Sequence, residues 1–313
     1  MPGYTRLMRS LKATNQLVTP RLEKWLFNNS HLLVSDENAE RLKQTVTAVP
    51  RNRAASFSSS SRGQCLRKQM FGYLGVPVTS DIDPGLHAIF IDGTWRHLRW
   101  QMLLLTAGIL TDIEVPFHRP DLRLRGSLDG ENADESWGFE LKGTSDTEIV
   151  IGKKPPIPYH ILQVHTYFVG KPELERFSLI YEDKRYQSWK EIVIERDPIT
   201  FGKVREELEY LNSSVEQREL PPILEECKHG EGIVYKKCAY RSICHGCDYA
   251  EAEALGTPRS TPVSAPRKQS ASRGRDSNSG TNGAPSAADG VEREEVQAEE
   301  VARRKRKRVH LPD

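Results

Sequence analysis

The sequence predicts an α/β protein, a mixed β-sheet flanked by helices. Three observations predict it. Apolar residues recur at helical spacing before residue 110 and again after Pro158. Short runs rich in Ile, Val, Phe and Leu fall between Asp112 and Gly143 and between Arg176 and Asp197. The order of these patterns is helix, strands, helix, strands, helix. At 313 residues the chain is long enough for one large domain or two smaller ones.

The elements follow in order. RLEKWLFNNSHLLV and DENAERLKQTVTAV carry apolar residues at helical spacing. SFSSSSRG is a Ser-rich loop that caps the next helix, QCLRKQMFGYLG, which ends on Gly75. GLHAIFIDGTWRHLRWQMLLLTAG is a further helix, broken or started near Asp92-Gly93 and stopped at Gly108. DIEVPFH, LRLRGSLDG and WGFELKG read as strands. After the Pro-rich loop GKKPPIP comes the helix PYHILQVHTYFVG. RFSLIYED and QSWKEIVIERD form a hairpin around Lys184-Arg185, and the helix ITFGKVREELEYLNSSVEQ precedes a Cys-rich end.

Three regions are expected: a helical segment over 1–55, a central domain over 56–250 and a disordered tail over 251–313. The tail is rich in Ser, Pro, Gly and Arg and nearly free of large apolar residues, so burial cannot offset its ordering entropy. It ends in an acidic block and a basic run, Arg303 to Arg308. That run is a nucleic-acid contact, a localisation signal or merely a solubilising charge. The formal net charge is only +2, so a basic surface must be local. No apolar stretch follows the basic start, and Met102–Leu110 is too short to span a bilayer. A soluble, cytoplasmic protein that contacts no membrane is expected.

RGSLDGENADESWGFELKG, from Arg125 to Gly143, carries the chemistry. Residues i and i+2 of a strand share a face, so Glu140 and Lys142 point one way and Leu141 the other, into the core. An antiparallel pairing through the acidic connector brings Asp129 toward Glu140. Two carboxylates beside a lysine form a hard-oxygen site suited to Mg²⁺ or Mn²⁺. Alone this is a weak pattern, equally that of an exposed hairpin. His97 lies on a helix upstream. Gln163 and Tyr167, spaced i and i+4, share a helical face downstream. His165 lies between those two and should face elsewhere; Tyr167 taken alone reads as a core aromatic. His87, His118 and His160 lack motif support.

In this order, GTWRH, RGSLDG, FELK and QVHTY resemble the PD-(D/E)xK nuclease superfamily, and within it the RecB-like branch with its Gln-x-x-x-Tyr motif. The resemblance covers roughly residues 56–248 and implies a restriction-endonuclease-like core. It implies His97, Asp129, Glu140 and the Leu141 backbone carbonyl as metal ligands and Lys142 as catalytic lysine. Gln163 and Tyr167 would shape the substrate cleft. Leu128-Asp129 stands where the superfamily's name has Pro-Asp. The implied activity is a metal-dependent DNA exonuclease acting on single-stranded ends in recombination, repair or processing. The alternative is a nucleic-acid-binding accessory protein of a recombination or CRISPR-adaptation complex.

There are five cysteines. Cys227, Cys238, Cys244 and Cys247 are separated by ten, five and two residues, neither a zinc ribbon nor a ferredoxin run. Such a cluster in a reducing compartment points to metal rather than disulfides. With Cys65 upstream, the layout resembles the iron–sulfur nucleases: the CRISPR-associated Cas four family, the AddB nuclease domain and their phage relatives. That resemblance implies a [4Fe–4S] cluster on Cys65, Cys227, Cys238 and Cys244, with Cys247 the alternative ligand and Zn²⁺ or plain buried thiols the rival occupancies. The cluster would staple the end of the domain to its start. Arg62, Arg67 and Lys68, flanking Cys65, are either phosphate contacts or solvated helix positions.

Overall fold

The computed structural model describes residues 15–48, 54–78, 84–230 and 232–256. The chain divides into two units, Met1–Arg259 and Ser260–Asp313, and every described residue belongs to the first. The tail expected over 251–313 starts too early, since Tyr249–Gly256 is helical with Ala252 buried, while residues 257–313 with the basic run lie outside the described residues.

Among the described residues six strands form one mixed sheet: β1 (Phe57–Ser58), β2 (Asp112–Arg119), β3 (Leu124–Asn132), β4 (Trp137–Thr144), β5 (Arg176–Asp183) and β6 (Trp189–Glu195). β2 runs antiparallel along one edge of β3, from Leu124 to Glu131. The other edge is shared. β1 pairs in parallel with Leu124 and Arg125, and β4 pairs antiparallel with Gly130 to Asn132. Between those two partners that edge of β3 is open, and Asp129 sits at the opening. β4 pairs in parallel with β5, and β5 antiparallel with β6. The parallel step needs a crossover. A one-turn helix (Thr147–Val150) and α5 (Pro158–Gly170) supply it.

Among the described residues seven longer helices accompany the sheet: α1 (Thr19–Asn28), α2 (Asp36–Thr47), α3 (Leu66–Tyr73), α4 (Pro84–Thr106), α5, α6 (Pro198–Gln217) and α7 (Tyr249–Gly256). One sheet face packs Leu128, Phe177 and Leu179 against Val164 and Phe168 of α5 and Leu208 of α6. The opposite face packs Phe139, Leu141 and Ile180 against Trp100 and Leu104 of α4 and Leu22 of α1. Leu141 therefore points into a core, while its neighbours Glu140 and Lys142 face the other way.

Two helices differ from expectation. The first stops at Asn28 rather than running to Val34. The Asn28 and Asn29 amides donate back to the Lys24 and Trp25 carbonyls and close the last turn. Its start is fixed from afar: buried Glu191 accepts the Leu17, Val18 and Thr19 amides at 2.8, 2.9 and 2.7 Å. The break near Asp92-Gly93 does not occur, and α4 runs unbroken through both residues. A glycine inside a helix costs about 1 kcal/mol. Here Arg96 offsets it by bonding Asp92 one turn back at 3.1 Å and buried Glu182 of β5 at 2.8 Å. Arg99 reaches the same carboxylate. This clamp fixes the rotation of α4, and hence the direction in which His97 points.

Candidate active site and cysteine corner

The β3–β4 ladder pairs Gly130 with Phe139, so one step further Asp129 stands opposite Glu140. The connector tightens into a turn over 133–136 and takes no part in the site. The Asp129 carboxylate accepts the Leu141 amide at 2.7 Å and lies 3.1 Å from His97 Nδ1. Glu140 is buried, and its Oε1 is 2.6 Å from the Lys142 ammonium. Gln163 ties these together: its Oε1 accepts from Lys142 at 2.9 Å and its Nε2 donates to Glu140 Oε1 at 2.9 Å. The Tyr167 hydroxyl donates to Glu140 Oε2 at 2.8 Å. The ring of Tyr167 is also core, stacked on Phe177 at 5.3 Å. The structure thus brings His97, Asp129, Glu140, Leu141, Lys142, Gln163 and Tyr167 together. It gives Gln163 and Tyr167 a more specific place than a cleft wall, because they fix the rotamers of Glu140 and Lys142.

The electrostatics divide the carboxylates. Burial and the Asp129 charge raise Glu140, against the pull of Lys142 and Tyr167. Asp129 is lowered: burial opposes its charge, but His97, Lys142 and the Leu141 amide outweigh it. Burial also works against the charge on His97, yet Asp129 and Glu140 lift the imidazole to about 9. Lys142 is raised for the same reason, both carboxylates outweighing its burial. His97 and Lys142 thus compensate the charge of the two acids, and a divalent cation bound there would take the place of the His97 proton.

Glu114 belongs to this group and carries no sequence signal. The β2–β3 register pairs Ile113 with Gly130 and Val115 with Leu128, which sets Glu114 opposite Asp129. Its backbone is left-handed, at φ 49°. Gln101 joins the two, donating to Glu114 Oε1 at 2.8 Å and to the Asp129 carbonyl at 2.9 Å. Burial, helped by the Asp129 charge, raises the Glu114 carboxyl.

These side chains line one side of a cleft of about 980 Å³. Its far wall carries Arg125 and His118, the serines 58 to 60 and, from α2, Arg41 and Gln44. Gly126 allows this wall to close up, since a Cβ there would sit 2.5 Å from the Phe117 ring and 2.8 Å from Ser59 Oγ.

Among the described residues no group of three or more His, Cys, Asp or Glu side chains is gathered, as placed, around a metal position. The donor chemistry of the acidic site nevertheless fits a hard cation. A carboxylate offers about four lone-pair positions. Among the described residues, protein donors take two of these on Asp129 and three on Glu140. Oxygen capacity therefore remains on both.

The cysteines gather in part. Burial raises the Cys227 thiol, helped by the nearby Cys65 and Cys238. Burial raises Cys244 too, with Cys65 and Cys238 again beside it. Cys247 feels different neighbours. Burial raises it, with Glu251 and Asp248 nearby, and it packs in a small core with Phe71, Tyr240 and Ala252. Cys65, Cys227, Cys238 and Cys244 thus feel one another's charge, while Cys247 sits in the small core against which Cys238 and Cys244 also pack.

Two of the cations beside Cys65, Arg62 and Arg67, are internal struts rather than open phosphate contacts. The guanidinium of Arg67 bonds the carbonyls of Cys244, Pro221 and Cys247. Arg62 is fully buried, 3.2 Å from Glu207, and desolvation lowers it to about 10. Lys68 bonds Gln64. His165 faces away from the site as expected, bonding the Ile161 carbonyl and the Asp197 amide. His160 bonds the Tyr181 hydroxyl, and His87 is exposed.

No family model and no curated protein matches this chain. Among solved structures it is similar to an alkaline exonuclease from Laribacter hongkongensis, with 17% identity and TM-score 0.40 over 53% of this chain and 90% of that one. The same enzyme in complex with dAMP aligns at 17% identity and TM-score 0.39. The protein SSO0001 aligns at 15% identity and TM-score 0.39, over 66% of this chain and 94% of that one. Likeness at this level leaves the functional reading to the side chains of the cleft. Among the described residues no helix is long and apolar enough to cross a membrane.

Proposed function

We propose that the chain is a metal-dependent deoxyribonuclease of the RecB-like kind that trims DNA from single-stranded ends in recombination, repair or processing. The observation that carries it is the facing pair Asp129 and Glu140, at the open edge of β3, with Lys142 on the same face at the floor of a cleft.

Asp129 and Glu140 would hold Mg²⁺ or Mn²⁺, with His97 and the Leu141 carbonyl as further ligands. When bound, such an ion supplies an activated water and neutralises charge on a phosphate. To join such a ligand set His97 would have to be neutral. Lys142 stays an ammonium because both acids raise it, and it orients the attacking water or offsets charge developing on the phosphate. Gln163 and Tyr167 are positioning residues, and Glu114 adds a third acid beside Asp129 and His97. Arg125 and the serines of the far wall suit a phosphate backbone.

At the other end of the domain, Cys65, Cys227, Cys238 and Cys244 would hold a [4Fe–4S] cluster. The electrostatic coupling of Cys227 and Cys244 to Cys65 and Cys238, which Cys247 does not share, supports this choice. The cluster would supply a covalent staple, with Arg67 bracing the backbone around it.

The test is a time course on end-labelled single- and double-stranded DNA with Mg²⁺ or Mn²⁺, on anaerobically purified protein. Metal-dependent loss of label from single-stranded ends is expected, and chelation stops it. Protein that binds these DNAs yet never shortens them would leave an accessory binding role. Iron and sulfide assays on the same brown preparation separate an iron–sulfur staple from a zinc one.

A further inference from the structure

We propose that Phe90 is a stacking platform for an unpaired base of a single DNA strand whose backbone crosses Gly93 to reach Asp129 and Glu140. The placement of the scissile phosphate rests on the nuclease reading above; the platform itself rests on α4.

His97 and Gln101 both turn toward Asp129, one to its carboxylate and one to its carbonyl. A helix advances about 100° per residue, so Phe90 points between those two directions, within roughly 20° of each. At 1.5 Å per residue it lies about 10 Å further out along the axis. That spacing is about three stacked nucleotides. From Pro84 to Asp92 every residue is exposed, so Phe90 stands in solvent on the same line of α4 as His97, the α4 residue that lines the cleft.

The surface between Phe90 and His97 is bare. A Cβ on Gly93 would meet nothing within 4 Å. Thr94 has turned its hydroxyl back onto the Phe90 carbonyl. The nearest charges are already paired, Asp92 with Arg96. This stretch therefore offers no hydrogen-bonding handle for a phosphate. It offers a gap and then a ring that is 54% exposed, with no ring contact among the described residues. A flat base face is the ligand that such a ring accepts, and single-strand binders use aromatic side chains in this way. Ile91 and Trp95 are also exposed, but they lie on other sides of α4, well away from the His97 line. A protein covering the whole exposed stretch of the helix, a second copy included, is the competing occupant.

The experiment measures binding without cleavage. Single-stranded oligonucleotides carrying 2-aminopurine at successive positions from either end are titrated with full-length protein in EDTA. One position a few nucleotides from the end is expected to change its fluorescence on binding. Phe90→Ala should abolish that change and weaken binding about tenfold. Phe90→Trp should keep both. Gly93→Leu, which fills open space, should weaken binding while circular dichroism stays unchanged. Phe90→Ala that binds every oligonucleotide like the parent overturns the proposal. So does Phe90→Trp behaving like Phe90→Ala, or Gly93→Leu without effect. A variant that changes sedimentation but not DNA binding assigns the helix to a second copy instead. Because no turnover is needed, a protein that stacks a base on Phe90 but never cleaves sinks the nuclease reading and leaves this one standing.

Discussion

The acidic cleft and the cysteine corner are built in opposite ways. In the cleft, two long strands and a helix place the side chains, and each acid is already bonded to protein donors. Gln163 and Tyr167 hold Glu140 through bonds within the protein alone. In the corner, Cys227 sits in a three-residue 3₁₀ turn, and Cys238 and Cys244 lie in turns around a one-turn helix. Its core is five buried residues, and Arg67 provides its longest-range bonds. A site made by a sheet keeps its shape without its ion. A site made of turns needs its ligand as structure.

The largest effect should come from the cleft and should leave the fold alone. Lys142→Ala or Asp129→Ala is expected to reduce cleavage of end-labelled DNA by at least about 10²-fold. Circular dichroism should remain that of the parent. Without Lys142, Glu140 can take up a proton, since burial and Asp129 already push it that way. Wild-type cleavage by either variant sinks the mechanism. An unfolded variant breaks the contrast, because the cleft would then depend on its charges for structure.

The corner should show the reverse. Cys65→Ala or Cys244→Ala should lose iron, sulfide and colour. Each should be destabilised by about 2–5 kcal/mol, the range for losing a covalent staple in a small domain. Cleavage should fall less than in Lys142→Ala when both are assayed below the variant's melting transition. A variant that stays brown shows that Cys247 can take the missing place. One that is colourless but as stable as the parent shows that the turns hold themselves.

Much of this was legible because it depended on local periodicity. The alternation of period two put Glu140 and Lys142 on one face and Leu141 on the other. The i, i+4 spacing put Gln163 beside Tyr167. What was missed depended on distant pairing. Glu114 reads as one more polar residue in DIEVPFH, and only the register with β3 sets it opposite Asp129. Arg67 reads as a surface cation until it meets carbonyls 154 to 180 residues away. The continuity of α4 through Gly93 is decided by Glu182, 86 residues from Arg96. A single-position signal cannot report such partners, whatever the residue type.

A smaller test concerns a buried histidine of α5. His160 is bonded to Tyr181 at 2.7 Å, and burial, assisted by the Lys142 charge, lowers it to about 3. In the unfolded chain its value is about 6.5. Between these values the unfolded chain binds the proton and the native one does not. Stability therefore falls as pH drops from about 6.5 toward 3, and is complete above that window. His160→Asn should lose less stability than the parent between pH 7.5 and pH 4.5, by urea denaturation at each pH. Parallel losses in the two proteins would remove His160 as the source of that loss.

The smallest effect expected is at Cys247, where the corner divides against itself. Its thiol is buried with Phe71, Tyr240 and Ala252 and behaves as a small apolar side chain, whereas Cys244, three residues earlier, packs at the edge of that core and feels the charge of Cys65 and Cys238. Cys247→Ala should cost about 1 kcal/mol, the scale of trimming one buried group. Iron and sulfide per chain should be those of the parent. Half-loss of iron, or loss matching that of Cys244→Ala, would move the ligand set onto Cys244 and Cys247. The corner would then be a site whose turns shift to meet its metal, and the contrast with the preset cleft would grow wider.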